Sequence, residues 1–394
     1  MNIEDLLRET FADMAREADP PPPERFLRAR PRRRRSWRPV AAAATVVVLI
    51  AATVVLLRGM LHVPREPEPA ATPGPPAPIG QVWPDAVHTL PTKLPNGLAY
   101  RPELFLDART LLVRTGRGNS AAPPVWWAYD VRTRKARRLV TFRPPARTDH
   151  TSGAVLGDGH LVWYTVSWGK VKGLLTIWTA PMTGGAPRKV TSIRQTMKYG
   201  DIGMMEVVDG TVVWSRPLAD VLQRVPLSGG EPETIPGTRG LDLLQWPWAS
   251  RKENQPTQLP RHRTLVNVVT GETRQPPPGA GDCSLSWCLT RTGVRPRVGG
   301  SERPLPFPPL RYVAPARDRF LVLMERRSLA DNRMHLHDVR TGRTADLGIR
   351  FAFKEDDRTA SDYMKAVTMY PTTRYLLTYD LAGKRVVVNL GAIR

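Results

Sequence analysis

From about residue 81 onward one short pattern keeps returning: a β-rich run, a polar or glycine turn, then a second β-rich run. It reads Trp127-Ala-Tyr-Asp130-Val-Arg-Thr-Arg-Lys135 and Ile177-Trp-Thr-Ala-Pro-Met-Thr-Gly184-Gly185. It returns as Leu222-Gln-Arg-Val-Pro-Leu-Ser-Gly229-Gly230 and Leu265-Val-Asn-Val-Val-Thr-Gly271-Glu. Two later copies are His335-Leu-His-Asp338-Val-Arg-Thr-Gly342-Arg and Thr378-Tyr-Asp380-Leu-Ala-Gly383-Lys. The turns fall near 134, 185, 230, 271, 342 and 383, and Gly299-Gly300 sits in the one double gap. A second element precedes most of them: Thr110–Val113, His160–Trp163, Thr211–Trp214, Leu285–Cys288 and Phe320–Leu323.

A period of about 40–45 residues with several short strands per unit is the signature of a β-propeller. Such a unit cannot bury both faces of its sheet alone, so blades pack face to face around an axis. The count is about seven blades, with six or eight also compatible, because residues 241–250 and 295–305 carry weak copies. A terminal strand is expected to complete a shared blade, which removes the open sheet edge. Composition agrees with a mainly β body. The chain has 40 Pro among 394 residues, and Pro breaks helix interiors.

The residues before the repeats are of another kind. Residues 2–17 read as a short amphipathic helix, with Ile3, Leu6, Leu7, Phe11 and Met14 at helical spacing. It ends at Pro20–Pro23, so 1–24 form a cytosolic piece with no core of its own. That stripe either lies solvated or docks in a partner's groove. Residues 25–39 hold Arg25, Arg28, Arg30, Arg32, Arg33, Arg34, Arg35 and Arg38 and no acid. Val40 to Leu57 then runs 18 residues without charge, about 27 Å as a helix. The span is placed at 40–61. The arginines before it set the topology with the N-terminus in the cytoplasm of a plasma-membrane protein and the rest exported. A cleaved signal peptide fits less well, because Arg58-Gly59-Met60-Leu61-His62 is a poor cleavage site. Residues 62–80, rich in Pro, Ala and Glu, read as an extended linker, and 81–394 as the extracytoplasmic propeller. The partners this implies are the lipid bilayer through 40–61, a protein or envelope ligand on the propeller, and a cytosolic regulator on 1–24.

Side chains that announce catalysis are scarce. No nucleophile elbow, His-Glu-x-x-His pair or phosphate-binding loop occurs, and no cofactor is expected. His335 and His337 lie two apart on one strand face, without visible further ligands, and read as exposed strand histidines. Glu355, Asp356 and Asp357 read as a solvated acidic loop. Asp149, His150 and Ser152 supply triad residue types without triad geometry. Cys283 and Cys288 are the whole cysteine content. A turn through Ser284–Trp287 brings them within disulfide reach in an exported domain; two buried thiols are the other reading. Tryptophans are read as packing between blades, with a carbohydrate-binding stripe as the alternative. The net charge of +22 is an arginine bias that a GC-rich genome explains more readily than a ligand does; cell-wall polyanions or lipid head groups are the contacts such a basic exported surface would make. Nucleic acid is not expected as a partner of an exported domain.

The Asp-x-x-Thr-Gly and Pro-x-x-Gly-Gly turns resemble those of WD40-like and TolB-like propellers. The whole layout is similar to actinobacterial single-pass membrane proteins with an exported propeller. The chain departs from true WD40 repeats in lacking their Gly-His…Trp-Asp signature. The resemblance implies a scaffold or interaction role and carries no catalytic residue over. The expected function is therefore non-enzymatic binding. The alternatives are a transmembrane sensor whose N-terminal helix engages a regulator such as a sigma factor, and a propeller hydrolase or lyase.

Overall fold

The computed structural model describes residues 74–394, apart from residues 120, 146–147, 169–172, 196–201, 218, 254–260, 311–312, 329–330, 353–366 and 370–375. The helix, arginine cluster and span expected in residues 1–73 lie outside the described residues, as does the acidic run at 355–357. Among the described residues no helix is long and apolar enough to cross a membrane.

Seven antiparallel sheets follow one another along the chain. Blade 1 has Arg101–Phe105 as inner strand, then Thr110–Thr115 and Val125–Asp130, with Ala136–Thr141 outermost. Blade 2 is built on His160–Trp168 and Gly173–Pro181, blade 3 on Thr211–Arg216 and Val221–Pro226, and blade 4 on Trp248–Glu253 and Arg261–Asn267. The weak copy at 241–250 belongs to the four-stranded blade 4, whereas the one at 295–305 belongs to a reduced blade. Blade 5 has only Trp287–Leu289, Gly293–Pro296 and the two-residue Arg303–Pro304, and blade 6 has Phe320–Arg326, Asn332–Asp338 and Thr344–Phe351. In blade 7, Val87–Leu90 from the N-terminal side pairs with Lys384–Asn389. That pairing closes the ring.

Blades adhere through apolar layers. Leu112, Trp126, Leu161 and Trp163 pack between blades 1 and 2, where the two indole rings lie 4.6 Å apart. Val162, Ile177, Val212 and Trp214 fill the next junction. Each such side chain contributes roughly 1.5–3 kcal/mol when fully buried. Comparable clusters join blades 3–4, 5–6, 6–7 and 7–1. Among the described residues no such cluster joins blades 4 and 5. There the buried Arg297 guanidinium donates to the Ser284 and Arg263 carbonyls instead.

The recurring turn has a side-chain cause. Asp130 Oδ1 accepts the N–H groups of Arg132 and Thr133, and Asn267 Oδ1 those of Val269 and Thr270. Asp338 likewise accepts from the N–H of Arg340 and from Thr341 Oγ1. The fifth position is left-handed, with φ of 59° at Arg134, 74° at Gly271 and 75° at Gly342. One copy is out of place. The turn at Ala382-Gly383 joins the second and third strands of blade 7, whereas the other copies join third to outer strands. Alternation in a four-stranded meander puts these two turn types on opposite faces. We call the face with inner-to-second and third-to-outer turns the turn face, and its opposite the loop face.

The chain joins the ring from the turn face. Asp346 N–H donates to the Ala77 carbonyl, and Pro78 runs parallel to the outer strand of blade 6. Ile79 is buried in the layer between blades 6 and 7. The last residues of the linker, taken as extending to 80, are thus packed against the propeller.

Candidate functional site

The minimal outer strand of blade 5 leaves a groove against blade 6 of about 850 Å³. Apolar walls come from Val294, Leu305, Pro306 and Phe307, and Gly74–Pro76 borders it. Glu325, Arg327, His337 and Arg303 supply its polar lining. Blades bury both faces, so neither histidine of the third strand reaches solvent. His335 is 1% and His337 5% exposed, which corrects the reading of them as exposed strand histidines.

Each polar group in the groove has structural work. The Phe307 ring stacks on His335 at 4.7 Å. His335 Nε2 lies 3.0 Å from Glu325 Oε2, and Glu325 also takes a hydrogen bond from Arg327 at 2.7 Å. Burial pushes His335 below the usual histidine range, against the opposing pull of Glu325. Burial by itself would raise Glu325; hydrogen bonds from Arg327 and His335 outweigh it and hold the carboxyl low. A neutral imidazole donating from Nε2 to a carboxylate satisfies both shifts. His337 pairs with Thr344 Oγ1 at 2.8 Å and is likewise lowered by burial. Arg303 lies over the Trp287 ring and donates to the Val339 and Arg340 carbonyls.

A second set of charges is buried elsewhere in the ring. In blade 1, Glu103 on the inner strand and Arg114 on the second strand form an ion pair at 3.1 Å, 0% and 7% exposed. Arg114 also donates to the Thr151 and Ser152 carbonyls, and Glu103 accepts the Ala154 N–H. At the turn-face end, Arg317 of blade 6 interacts electrostatically with Glu206 of blade 3. These blades stand nearly opposite in a ring of seven, so the pair lies at the axis. Burial raises Glu206 above the usual carboxyl range despite Arg317 and a hydrogen bond from the Trp246 N–H.

The remaining candidates are placed as follows. Cys283 and Cys288 pair across an isolated antiparallel bridge, with sulfurs 2.09 Å apart. The disulfide ties the short inner segment of blade 5 to its second strand. Asp149 accepts the Trp168 N–H, and Ser152 Oγ donates to the Gly153 carbonyl while accepting from the Tyr164 N–H. The two residues brace strands, and no triad forms. Among the described residues no group of three or more His, Cys, Asp and Glu side chains is placed to hold a metal. The docking stripe Ile3, Leu6, Leu7, Phe11 and Met14 and the arginines Arg28, Arg30, Arg32, Arg33, Arg34, Arg35 and Arg38 lie outside the described residues. Sequence reading missed Glu103 and Arg114, on paired strands of the first hairpin of blade 1, and Glu206 and Arg317, which meet only through the ring.

Solved structures similar to this chain include an uncharacterized protein from Listeria monocytogenes, at 9% identity over 74% of this chain and 92% of that one, with a TM-score of 0.43. TolB from Acinetobacter baumannii matches at 13% identity over 71% and 78%, with a TM-score of 0.31. A puromycin hydrolase matches at 14% identity and a TM-score of 0.34, and the chain spans 44% of its length. No family model matches the chain, and no curated protein matches it either.

Proposed function

We propose that this chain is a single-pass membrane protein, N-terminus in the cytoplasm, that presents its propeller outside the cytoplasm as a non-enzymatic binding module. The ligand is a protein, a peptide or an envelope component, held on the loop face. One observation carries the choice of face. The chain joins the ring beside Gly342–Thr344 on the turn face, and Arg317 and Glu206 occupy that end of the axis. A tether attached there leaves the loop face unobstructed by the chain itself. The groove's polar groups support binding over turnover, since each is engaged in holding a strand or turn.

The test is site-specific photo-crosslinking in intact cells with the probe at Pro236 on the loop face or at Ala186 on the turn face. An adduct to one envelope component from Pro236 and none from Ala186 is expected. Equal adducts from both sites, or none from either, contradict the reading.

A second reading is favoured by the apolar stripe Ile3, Leu6, Leu7, Phe11 and Met14: the propeller senses outside and the N-terminal helix engages a cytosolic regulator. A photo-probe at Phe11 that captures one discrete cytosolic protein, absent with a scrambled helix, supports it; no adduct removes it.

A further inference from the structure

We propose that the loop face docks a linear polyanion, a chain of repeating phosphate or carboxylate groups. This rests on the reading above that the loop face is the one presented to a ligand. Every blade sets an exposed cation in a loop or strand end there: Arg117, Arg194, Arg239, Arg251, Arg291, Arg326 and Lys384 in blades 1 to 7. Exposed carboxylates on that face, among the described residues, are Asp149, Asp220 and Asp380. Of these, Asp149 accepts the Trp168 N–H and Asp380 pairs with Arg385.

The turn face is less one-sided. Its exposed cations, Arg109, Arg132, Arg188, Lys189, Arg340 and Arg343 among them, stand beside exposed Asp107, Asp158, Asp209, Glu231, Glu272 and Glu302. Among the described residues exposed carboxylates are therefore fewer on the loop face, and its cations are less offset.

The distribution selects the partner class. One cation per blade offers a small anion a single screened contact, which is weak at a water-exposed site. A flexible chain with repeating anions meets successive blades, and each contact after the first is intramolecular. The summed field also raises the local concentration of such a chain. The joining segment lies at the other face, which argues for a soluble polymer over a lipid sheet as the occupant.

The experiment titrates the full-length chain, in zwitterionic micelles, with labelled long-chain polyphosphate and polyglutamate, with tripolyphosphate as competitor. Long chains are expected to bind at least about tenfold tighter per anionic group than tripolyphosphate, and to weaken about tenfold or more between 50 and 200 mM salt. The ratio of polyphosphate to polyglutamate affinity tells a phosphate from a carboxylate source. The variant Arg117→Glu/Arg239→Glu/Arg291→Glu is expected to lose about tenfold in affinity. Arg132→Glu/Arg134→Glu/Lys135→Glu, on the turn face, is expected to stay within about twofold. Unchanged circular dichroism and thermal midpoints exclude misfolding of either variant.

Equal loss in both variants overturns the proposal, as does equal binding of long and short anions or no binding at all. Binding to anionic vesicles without binding to soluble polymer overturns it in favour of a membrane. The titration is independent of where the domain resides, so its failure leaves the topology reading standing, and the reverse holds too.

Discussion

The Arg188 guanidinium of blade 2 donates to the Leu227 and Ser228 carbonyls of blade 3, at 2.6 and 2.9 Å. Other arginines at the start of an outer strand repeat the reach. Arg137 meets the Thr183 carbonyl, Arg303 the Val339 and Arg340 carbonyls, and Arg343 the Val82 carbonyl. Part of the arginine excess thus fastens blades 1, 2 and 5 to the next blade, and blade 6 to the segment before blade 7's outer strand.

A planar fork that spans two carbonyls is not replaced by a point charge. Arg188→Lys is therefore expected to cost about 1 kcal/mol, close to the cost of Arg188→Ala. Urea denaturation midpoints measure both. A lysine variant as stable as the parent would show that charge, not the fork, matters there.

The buried Glu103–Arg114 pair, where blade 1 meets blade 2, makes a sharper demand. Removing one partner strands the other charge, so Glu103→Leu or Arg114→Leu alone is expected to cost about 3–5 kcal/mol. The double change Glu103→Leu/Arg114→Met is expected to cost less than the two single losses added together. A double-mutant cycle on denaturation midpoints reads the coupling.

The repeated turn offers a clean backbone test. Gly342 is left-handed, and a Cβ there would meet nothing within 4 Å. Gly342→Ala is then expected to lose about 1 kcal/mol through φ alone. Arg134 holds the equivalent place with a φ of 59°, and Arg134→Gly is expected to gain about 0.5–1 kcal/mol. Thermal unfolding of the two variants should move in opposite directions.

Acid should weaken the fold in two stages. Burial lowers His88, His335 and His337. The folded state therefore prefers them neutral, and the unfolded chain takes up protons first. Their contribution is full above about pH 6.5 and is lost as pH falls through the lower folded values. Burial alone would raise Asp338, yet hydrogen bonds from Arg319, Thr341 and the Arg340 N–H hold it low. Its contribution is full above about pH 4 and is lost below that. Denaturation midpoints measured against pH should fall gently, then steeply. His337→Asn is expected to flatten the first stage and Asp338→Asn the second.

The sequence made most of the ring readable because its turns are local chemistry. An Asx side chain capping its own backbone, as at Asp130, Asn267 and Asp338, needs no tertiary context. The runs ending in Trp163 and Trp214 are legible as strands from their β-branched and aromatic residues. Blade 7 was harder, because its Gly383 turn copies the motif on the wrong hairpin. His335 and His337 misled because blades bury both faces, so alternation along a strand no longer separates core from solvent. The inter-blade arginines leave no pattern in their partners, since a backbone carbonyl accepts from a guanidinium whatever residue bears it. Glu206 and Arg317 are 111 positions apart in the chain, and only ring closure brings them together.

We propose an exported propeller tethered by an N-terminal span, and protease protection in spheroplasts tests this most directly. With epitope tags at both ends, external protease is expected to destroy the C-terminal tag and spare the N-terminal one until the membrane is opened. Protection of both tags, or digestion of both, would contradict the account.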